Sequence, residues 1–150
     1  MPELKDLLRT DLTAAMKARD ELTTATLRMV LTAVSAEEVS GKEARELSED
    51  EVQAVLRREA KKRREAAEAY AGAGRAEQAE RERAEEGVIA TYLPAQLDDA
   101  DLAAIVADVV TSTGATGMKD MGRVMGAVQG AVAARAEGGR VAAEVRRQLG

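Results

Sequence analysis

Cysteine and histidine are both absent from this 150-residue sequence. Their absence excludes disulfide bonds, thiolate chemistry, imidazole bases and the residue types that most often ligate zinc. Phenylalanine and tryptophan are missing as well, and tyrosine occurs only twice. A core without large aromatic side chains must be built from Ala, Leu, Val and Met, which suits helix-on-helix packing better than a β-sheet.

Proline is scarce too, since the chain contains only Pro2 and Pro94. Proline is the strongest breaker of helices, so long helices can run uninterrupted on either side of Pro94. The sequence also shows no signal peptide and no apolar run long enough to span a membrane. A cytoplasmic protein without a membrane partner is therefore expected.

Positive charge is the minority charge, because 22 Lys or Arg residues face 27 Asp or Glu residues and the net charge is −5. This balance argues against nucleic-acid binding by bulk charge, and no DNA partner is expected. Residues 114–150, however, carry six basic and three acidic residues, a local charge of +3. Residues 1–113 carry sixteen basic and twenty-four acidic residues, a local charge of −8. A basic end on an acidic body indicates a directed electrostatic contact.

Apolar residues recur at steps of three and four along most of the chain, a pattern typical of amphipathic helices. Ser48 and Glu51 have the spacing of a capping box and predict the start of a third helix. The short segment at Ala71–Gly74 predicts an antiparallel hairpin of the third and fourth helices. The seven predicted helices cover residues 2–19, 21–40, 48–71, 75–90, 98–113, 118–134 and 140–149.

Pro94 marks the boundary between the two halves of the chain. Proline disfavours a helical conformation at Leu93 and cannot continue a helix itself, so the chain must turn there. The predicted fold is therefore all-α. It consists of a helical N-terminal domain over residues 1–92 with a long helical hairpin, a linker at 93–97 and a small three-helix C-terminal domain over 98–150.

A dense basic run lies in the middle of the third predicted helix, with Glu59 as the one acid inside it. A nucleic-acid patch is one interpretation of this run. Glu59, Glu65 and Glu68 stand three or four positions from several of the cations, so a solvated helix face with local ion pairs is favoured. The six cations of the run are Arg57, Arg58, Lys61, Lys62, Arg63 and Arg64.

Glycine recurs at every fourth position of the sixth predicted helix, at Gly122, Gly126 and Gly130. Each helical glycine costs about 1 kcal/mol relative to alanine, so the three give up roughly 3 kcal/mol of helix preference. A helix face without side chains indicates that a neighbouring helix or a binding partner approaches the backbone closely. Another helix of the same domain is favoured, and a partner such as a phosphate backbone or a protein is the alternative. An apolar stripe accompanies the glycines and comprises Met118, Met121, Met125, Val128 and Val132.

Catalytic motifs are missing from the sequence. The serines have no Ser-x-x-Lys or Gly-x-Ser-x-Gly context, and there is no Gly-x-x-x-x-Gly-Lys phosphate loop. Gly114–Gly117 precedes a helix and could hold an anion, but a turn with a cap is the favoured interpretation. The residues therefore predict a helical binding or interaction protein, without a metal or another cofactor and without catalysis by the chain alone.

Four stretches of the chain resemble the YqeY family. The most specific are Tyr92–Leu97, which reads YLPAQL, and Gly114–Gly126, which contains MKDMGRVMG. The others are Leu27–Val34 and Arg135–Gly138 with Val141, so the resemblance extends over nearly the whole chain. The YqeY fold is shared with the tail of the B subunit of tRNA-dependent amidotransferase. The resemblance implies a helical N-terminal domain and a small helical C-terminal domain, joined near Pro94.

The resemblance also implies a partner, because the related tail of the amidotransferase grips the body of tRNA. Proteins of this kind carry the label of a glutamine-dependent carbon–nitrogen ligase, but the catalytic parts of that enzyme have no counterpart in this chain. A tRNA-binding accessory module is the first hypothesis, and a protein-interaction module is the second. Where the family has Gly-Arg-Ala-Asp-Gly-Lys, residues 134–139 read ARAEGG and one lysine is lost. The candidate RNA-binding residues are Lys119, Arg123, Arg135, Arg140, Arg146 and Arg147.

The missing nucleophile and base motifs predict that the purified chain does not hydrolyse glutamine. Ammonia release, measured with the chain and with a heat-inactivated sample as control, should be the same in both. Release above that control that persists through further purification would contradict the prediction of a non-catalytic chain.

Overall fold

Seven α-helices form most of the regular structure in the described part of the chain, as the spacing of its apolar residues predicts. The computed structural model describes residues 3–133 and 135–150, and that part of the chain contains no β-strand. The helices fall into two compact units, Met1–Leu93 and Pro94–Gly150. The all-α prediction is confirmed, whereas independent folding of the two halves as domains stays a prediction.

The first unit contains four helices: α1 (Glu3–Lys17), α2 (Glu21–Glu38), α3 (Glu49–Gly72) and α4 (Ala76–Ala90). The predicted capping box opens α3, because the Glu51 N–H donates to Ser48 Oγ at 3.2 Å and the Ser48 N–H donates to Glu51 Oε1 at 3.1 Å. Helix α4 returns along α3 as the predicted hairpin. The core of this unit is aliphatic and contains Leu8, Leu27, Val30, Val34, Leu47, Val52, Val55, Leu56, Ala60 and Ile89.

Ion pairs between helices accompany this core. Arg63 of α3 lies 3.4 Å from Glu85 of α4 and 3.5 Å from Glu59 of its own helix. Arg81 of α4 then contacts Glu85 at 3.1 Å and Glu21 of α2 at 2.8 Å. These contacts connect α2, α3 and α4 in one network. The density of Glu and Arg in α4 thus serves the packing of the first unit.

Lys5 and Glu38 form a second, more buried link, which joins α1 to the end of α2. Lys5 Nζ donates to both carboxylate oxygens of Glu38, at 2.9 and 2.7 Å. Lys5 is only 5% exposed, and the side chain of Glu38 is 15% exposed. The hydrogen bond from Lys5 and a further one from the Leu47 N–H outweigh burial and hold the pKa of Glu38 below its ordinary value of 4.5.

Tyr92 attaches the end of the first unit to α1. Its hydroxyl donates to Asp11 Oδ2 at 2.7 Å, and burial together with that hydrogen bond raises the pKa of Tyr92. Leu93 packs against the core of the first unit, and Leu97 packs against the core of the second. The segment between the two cores is therefore shorter than the predicted linker of residues 93–97.

The first helix ends in a turn that its sequence does not predict, because the turn has no glycine. The Arg19 N–H donates to the Met16 carbonyl and the Asp20 N–H donates to the Ala15 carbonyl, which is the Schellman arrangement. The residue in the left-handed position of this arrangement is usually glycine, but here it is Arg19, with φ of +57°. A left-handed conformation costs a residue with a side chain about 1–2 kcal/mol. The same arrangement ends α5 with Gly114, at φ of +68°.

The second unit contains α5 (Asp99–Thr113), a 3₁₀ turn (Met118–Asp120), α6 (Met121–Val132) and α7 (Gly138–Leu149). Asp98 caps α5, since its Oδ1 accepts from the Asp101 N–H at 2.7 Å. Helix α6 is shorter than predicted: it starts after the 3₁₀ turn and ends at Val132, and Ala134 lies outside the described residues. The core of this unit contains Leu102, Val106, Val124, Val128, Val132, Ala136, Val141 and Val145.

Replacement of Glu38 tests the buried link to Lys5. Glu38→Gln leaves the ammonium of Lys5 almost buried without an anionic partner, which typically costs about 3 kcal/mol. Because the pKa of Glu38 is lower in the folded chain than in the unfolded one, acid favours unfolding of the wild type. The stability difference between wild type and variant should therefore be full above pH 4.5 and shrink as the pH falls through the lowered pKa.

Urea unfolding at a series of pH values between about 3 and 7 measures this difference, with the midpoint concentration and the m-value fitted at each pH. Glu43→Gln, at an exposed acid in the segment before α3, is the matched control and should have little effect at any pH. A difference between wild type and Glu38→Gln that does not change with pH would contradict the proposed role of the pair.

Candidate nucleic-acid interface

The start of α6 places Lys119 and Arg123 beside the end of α5. Asp120 Oδ2 accepts from the Thr116 N–H at 2.9 Å, and Asp120 Oδ1 accepts from Arg123 at 2.9 Å. The Thr116 N–H and the Arg123 guanidinium hold the pKa of Asp120 below its ordinary value of 3.8. Arg123 also donates to the carbonyl of Thr113 at 2.9 Å. The Asp120 carboxylate thus accepts the backbone N–H of this turn that an external anion could otherwise have bound. This agrees with the interpretation of residues 114–117 as a turn with a cap.

Lys119 differs from Arg123 in forming no salt bridge and no side-chain hydrogen bond within the described residues, although its charge contributes to the lowered pKa of the neighbouring Asp120. It is exposed in the 3₁₀ turn, and no carboxylate in residues 3–133 or 135–150 pairs with it. The ammonium is therefore available to an external anion, whereas the guanidinium of Arg123 already holds the last residue of α5.

Arg135 and Arg140 meet at the opposite end of α5. The Leu97 N–H donates to the Arg135 carbonyl at 2.7 Å, and Arg140 donates to the Leu97 carbonyl at 2.9 Å. Arg140 also donates to Asp99 Oδ1 at 3.0 Å. The side chain of Arg135 donates to the carbonyls of Val132 and Ala131 at 3.1 and 3.4 Å, at the end of α6. The guanidinium of Arg140 and the backbone carbonyl of Arg135 therefore hold the entry of the chain into the second unit, whereas the guanidinium of Arg135 caps the end of α6.

Arg146 and Arg147 lie side by side near the end of α7 but have different surroundings. Arg147 forms a bidentate pair with Glu144, with N–O distances of 2.6 to 2.9 Å. This contact lowers the pKa of Glu144 and raises that of Arg147. Arg146 is exposed, and no carboxylate in the described part of the chain pairs with it.

The six candidate cations do not form one cluster. Arg123 donates to Thr113, the last residue of α5, and Arg140 donates to Asp99, the first. The two ends of this 15-residue helix are about 21 Å apart. Arg123, Arg135, Arg140 and Arg147 are bonded within the unit. Lys119 and Arg146 form no salt bridge within the described residues, and the assignment of all six to RNA binding stays a prediction.

The basic run of α3 is paired more completely than its sequence indicates. Lys62 contacts Glu59 at 3.1 Å, and Lys61 lies 3.9 Å from Glu65, as the spacing predicts. Other acids come from neighbouring helices, since Arg58 contacts Glu37 at 3.4 Å and Arg64 contacts Glu86 at 3.1 Å. Glu59 is 4% exposed and is not part of a solvated face. Five of the six cations thus have an acidic partner and Arg57 has none within the described residues, so the run offers an RNA less unpaired charge than its sequence indicates.

The glycine face of α6, formed by Gly122, Gly126 and Gly130, corrects a prediction. Among the described residues, no helix of the unit packs against this face: all three glycines are exposed, and a Cβ atom added at any of them would meet no described atom within 4 Å. Helix α6 instead buries Val124, Val128 and Val132 against α5 and α7. The glycines lie on the opposite side of the helix, because the two neighbours of α6 cover only one side. Met118, predicted to belong to the apolar stripe, is 48% exposed.

The sequence prediction assigned no role to Arg19 and Arg28, which line an open groove in the first unit. The position of Arg28 could have been predicted from the sequence. The apolar pattern of α2 places Arg28 on the exposed side of the helix, opposite the buried Leu27 and Val30 and in line with Glu21 seven positions before it. The position of Arg19 could not, because it depends on how the α1–α2 turn closes.

The described residues contain no obvious metal site. Within residues 3–133 and 135–150, no group of three or more acidic side chains could hold a metal ion. In the same part of the chain, no helix is long and apolar enough to cross a membrane.

Comparison with known proteins identifies one family. A protein-family model described as Yqey-like protein matches residues 5–149. The match includes both compact units and all six candidate cations. A search of curated proteins finds no match.

Substitution of Gly126 tests the open face of α6. Alanine at an exposed helical glycine should raise the free energy of unfolding by about 0.4–1 kcal/mol, because it restricts the unfolded chain. Gly126→Leu should also be tolerated, since its side chain would project into open space. Thermal unfolding measures both variants.

Val128→Ala is the control for the buried side of the same helix and should lower the stability. A loss of about 1–3 kcal/mol in Gly126→Leu would instead be the result expected for a close-packed face.

Proposed function

The chain belongs to the YqeY family, and from that premise we propose that it is a non-catalytic accessory protein that binds tRNA through residues 94–150. The observation that carries this proposal is the pair of exposed cations without a salt bridge, Lys119 and Arg146, in residues 114–150, which carry a local charge of +3 although the whole unit 94–150 has six basic and seven acidic residues. Phosphate oxygens are the natural partners of such side chains. The resemblance of this unit to the tRNA-gripping tail of the amidotransferase supports the same class of ligand.

The internal bonds of the other four cations limit the strength of binding. Arg123, Arg135 and Arg140 donate to backbone carbonyls, so an RNA could share their charge but not replace those bonds without disturbing the fold. About two or three phosphates would be neutralised, which gives a slope of log K against log salt of roughly −2 to −3. Binding is therefore expected to be micromolar at best and shape-dependent rather than sequence-specific.

The test is tRNA binding by fluorescence anisotropy at about 50 and 150 mM salt, concentrations between which a few phosphate contacts weaken measurably. Lys119→Glu/Arg146→Glu should reduce the affinity of the full chain at least tenfold and flatten the salt dependence. Lys61→Glu/Lys62→Glu changes the charge by the same amount on α3 and should leave affinity nearly unchanged. Thermal unfolding of both variants checks that they fold.

Two results would count against the proposal. The first is loss of binding in the α3 variant with binding retained in the Lys119/Arg146 variant, which would place the contact on the first unit. The second is no binding by the wild-type chain even at low salt.

A protein-interaction module is the second candidate function. It is favoured by the glycine face of α6, which is open to a partner's helix, and by the half-exposed Met118 near its start. Gly126→Leu separates the two functions, because it would block close approach of a helix while leaving every cation of the second unit unchanged.

A further inference from the structure

A groove between the end of α1 and the outer side of α2 has the features of a small-ligand site. It has a volume of about 440 Å³ and is open to solvent, within the range of volumes typical of small-molecule sites. Glu21, Thr24, Ala25 and Arg28 of α2 line one wall. Their spacing of three, four and seven positions places them on one side of that helix.

The other wall comes from the end of α1 and the turn after it. Met16 lies there and is 49% exposed, although it is a large apolar side chain. Arg19 and Asp20 follow it in the turn. The groove thus combines an apolar surface, formed by Met16 and Ala25, with two guanidinium groups, those of Arg19 and Arg28.

The two carboxylates of the groove are already engaged. Asp20 accepts from the Thr23 N–H at 3.1 Å and from the Thr23 hydroxyl at 2.8 Å, and these bonds lower its pKa. Glu21 accepts two hydrogen bonds from Arg81 at 2.8 and 2.9 Å, and this pair lowers its pKa as well. Both carboxylates are therefore ionised and partnered at neutral pH.

The two arginines, in contrast, have no acidic partner. In the described ranges 3–133 and 135–150, no carboxylate pairs with Arg19 or Arg28. Arg19 also occupies a left-handed backbone position where glycine would be more comfortable, so the chain keeps a guanidinium at this point against a local backbone preference. The lining of the groove is neutral in sum, but the charge that remains available to a ligand is positive.

We propose that this groove binds a small ligand that carries a phosphate or carboxylate group on an apolar body. The oxyanion group contacts Arg19 and Arg28, whose planar guanidinium groups match the geometry of both anions. The apolar body covers Met16 and Ala25. The proposal concerns the first unit and does not depend on tRNA binding by the second.

Titration of the isotope-labelled full chain, followed by amide chemical shifts, tests the proposal at constant ionic strength. The probes are phenyl phosphate, benzoate and inorganic phosphate. Phenyl phosphate or benzoate should produce saturable shifts at residues 16–28, with a Kd of about 1 mM or tighter. Whichever of phenyl phosphate and benzoate binds more tightly shows whether the groove prefers a phosphate or a carboxylate. Inorganic phosphate, which lacks the apolar body, should bind several-fold more weakly.

Three variants show whether the arginines are responsible. Arg19→Gly removes the guanidinium and suits the left-handed backbone, so the variant should fold at least as well as wild type. Arg28→Gln removes the second guanidinium on the exposed side of α2. Each should weaken binding about tenfold or more, which corresponds to the loss of one charge-assisted contact. Arg75→Gln removes an exposed arginine outside the groove and should not change the affinity.

Several results would overturn the proposal. These are the absence of saturable shifts with all three probes, an equal loss in Arg75→Gln, and unchanged affinity in both Arg19→Gly and Arg28→Gln. Equal affinity for phenyl phosphate and inorganic phosphate would overturn the role of the apolar surface. Thermal unfolding of each variant ensures that a loss of binding is not a loss of folding.

Discussion

The aliphatic core shared by α1, α2, α3 and α4 is the interaction on which the first unit depends, and ion pairs among α2, α3 and α4 accompany it. Because the chain has no phenylalanine or tryptophan, its core consists of Leu, Val, Ile and Ala, which cover less surface per residue. Arg63 and Arg81 lie between acids of three helices. Aliphatic contacts alone are less directional, so a charged network of this kind favours one packing arrangement over its alternatives.

The same use of charge limits what the second unit can offer a partner. Arg123 and Arg135 donate to backbone carbonyls at the C-terminal ends of α5 and α6, where carbonyl groups have no partner within the helix, and Arg140 donates to the Leu97 carbonyl just before α5. Arginine performs this role well because its fork of N–H groups reaches two acceptors at once, as Arg140 does with Leu97 and Asp99. A count of basic residues therefore overestimates the charge available to RNA, and Lys119 and Arg146 stand out because they lack such bonds.

The glycine face of α6 shows why helical periodicity could not identify a neighbour. Steps of four place Gly122, Gly126 and Gly130 on one side of a helix, but they do not reveal which side a second helix covers. The apolar stripe read from the sequence included Met118 and omitted Val124, which is fully buried. The groove at Arg19 and Arg28 was missed for a related reason, since its two walls come from different helices and meet only through the α1–α2 turn.

Most of the local structure follows from the sequence alone. The seven helices, the capping box at Ser48, a cap at Asp98 or Asp99 and the stop at Gly114 depend on residues within a few positions of one another, whereas the left-handed Arg19 and the 3₁₀ turn before α6 were not predicted. Only the packing of the helices decided which charged side chains form ion pairs and which surfaces stay exposed to solvent. Arg64 meets Glu86, Arg81 meets Glu21, and Lys5 meets Glu38 across 22, 60 and 33 positions of the chain. Such pairs depend on how helices pack, because a helix's sequence specifies its own faces but not the helix that covers them.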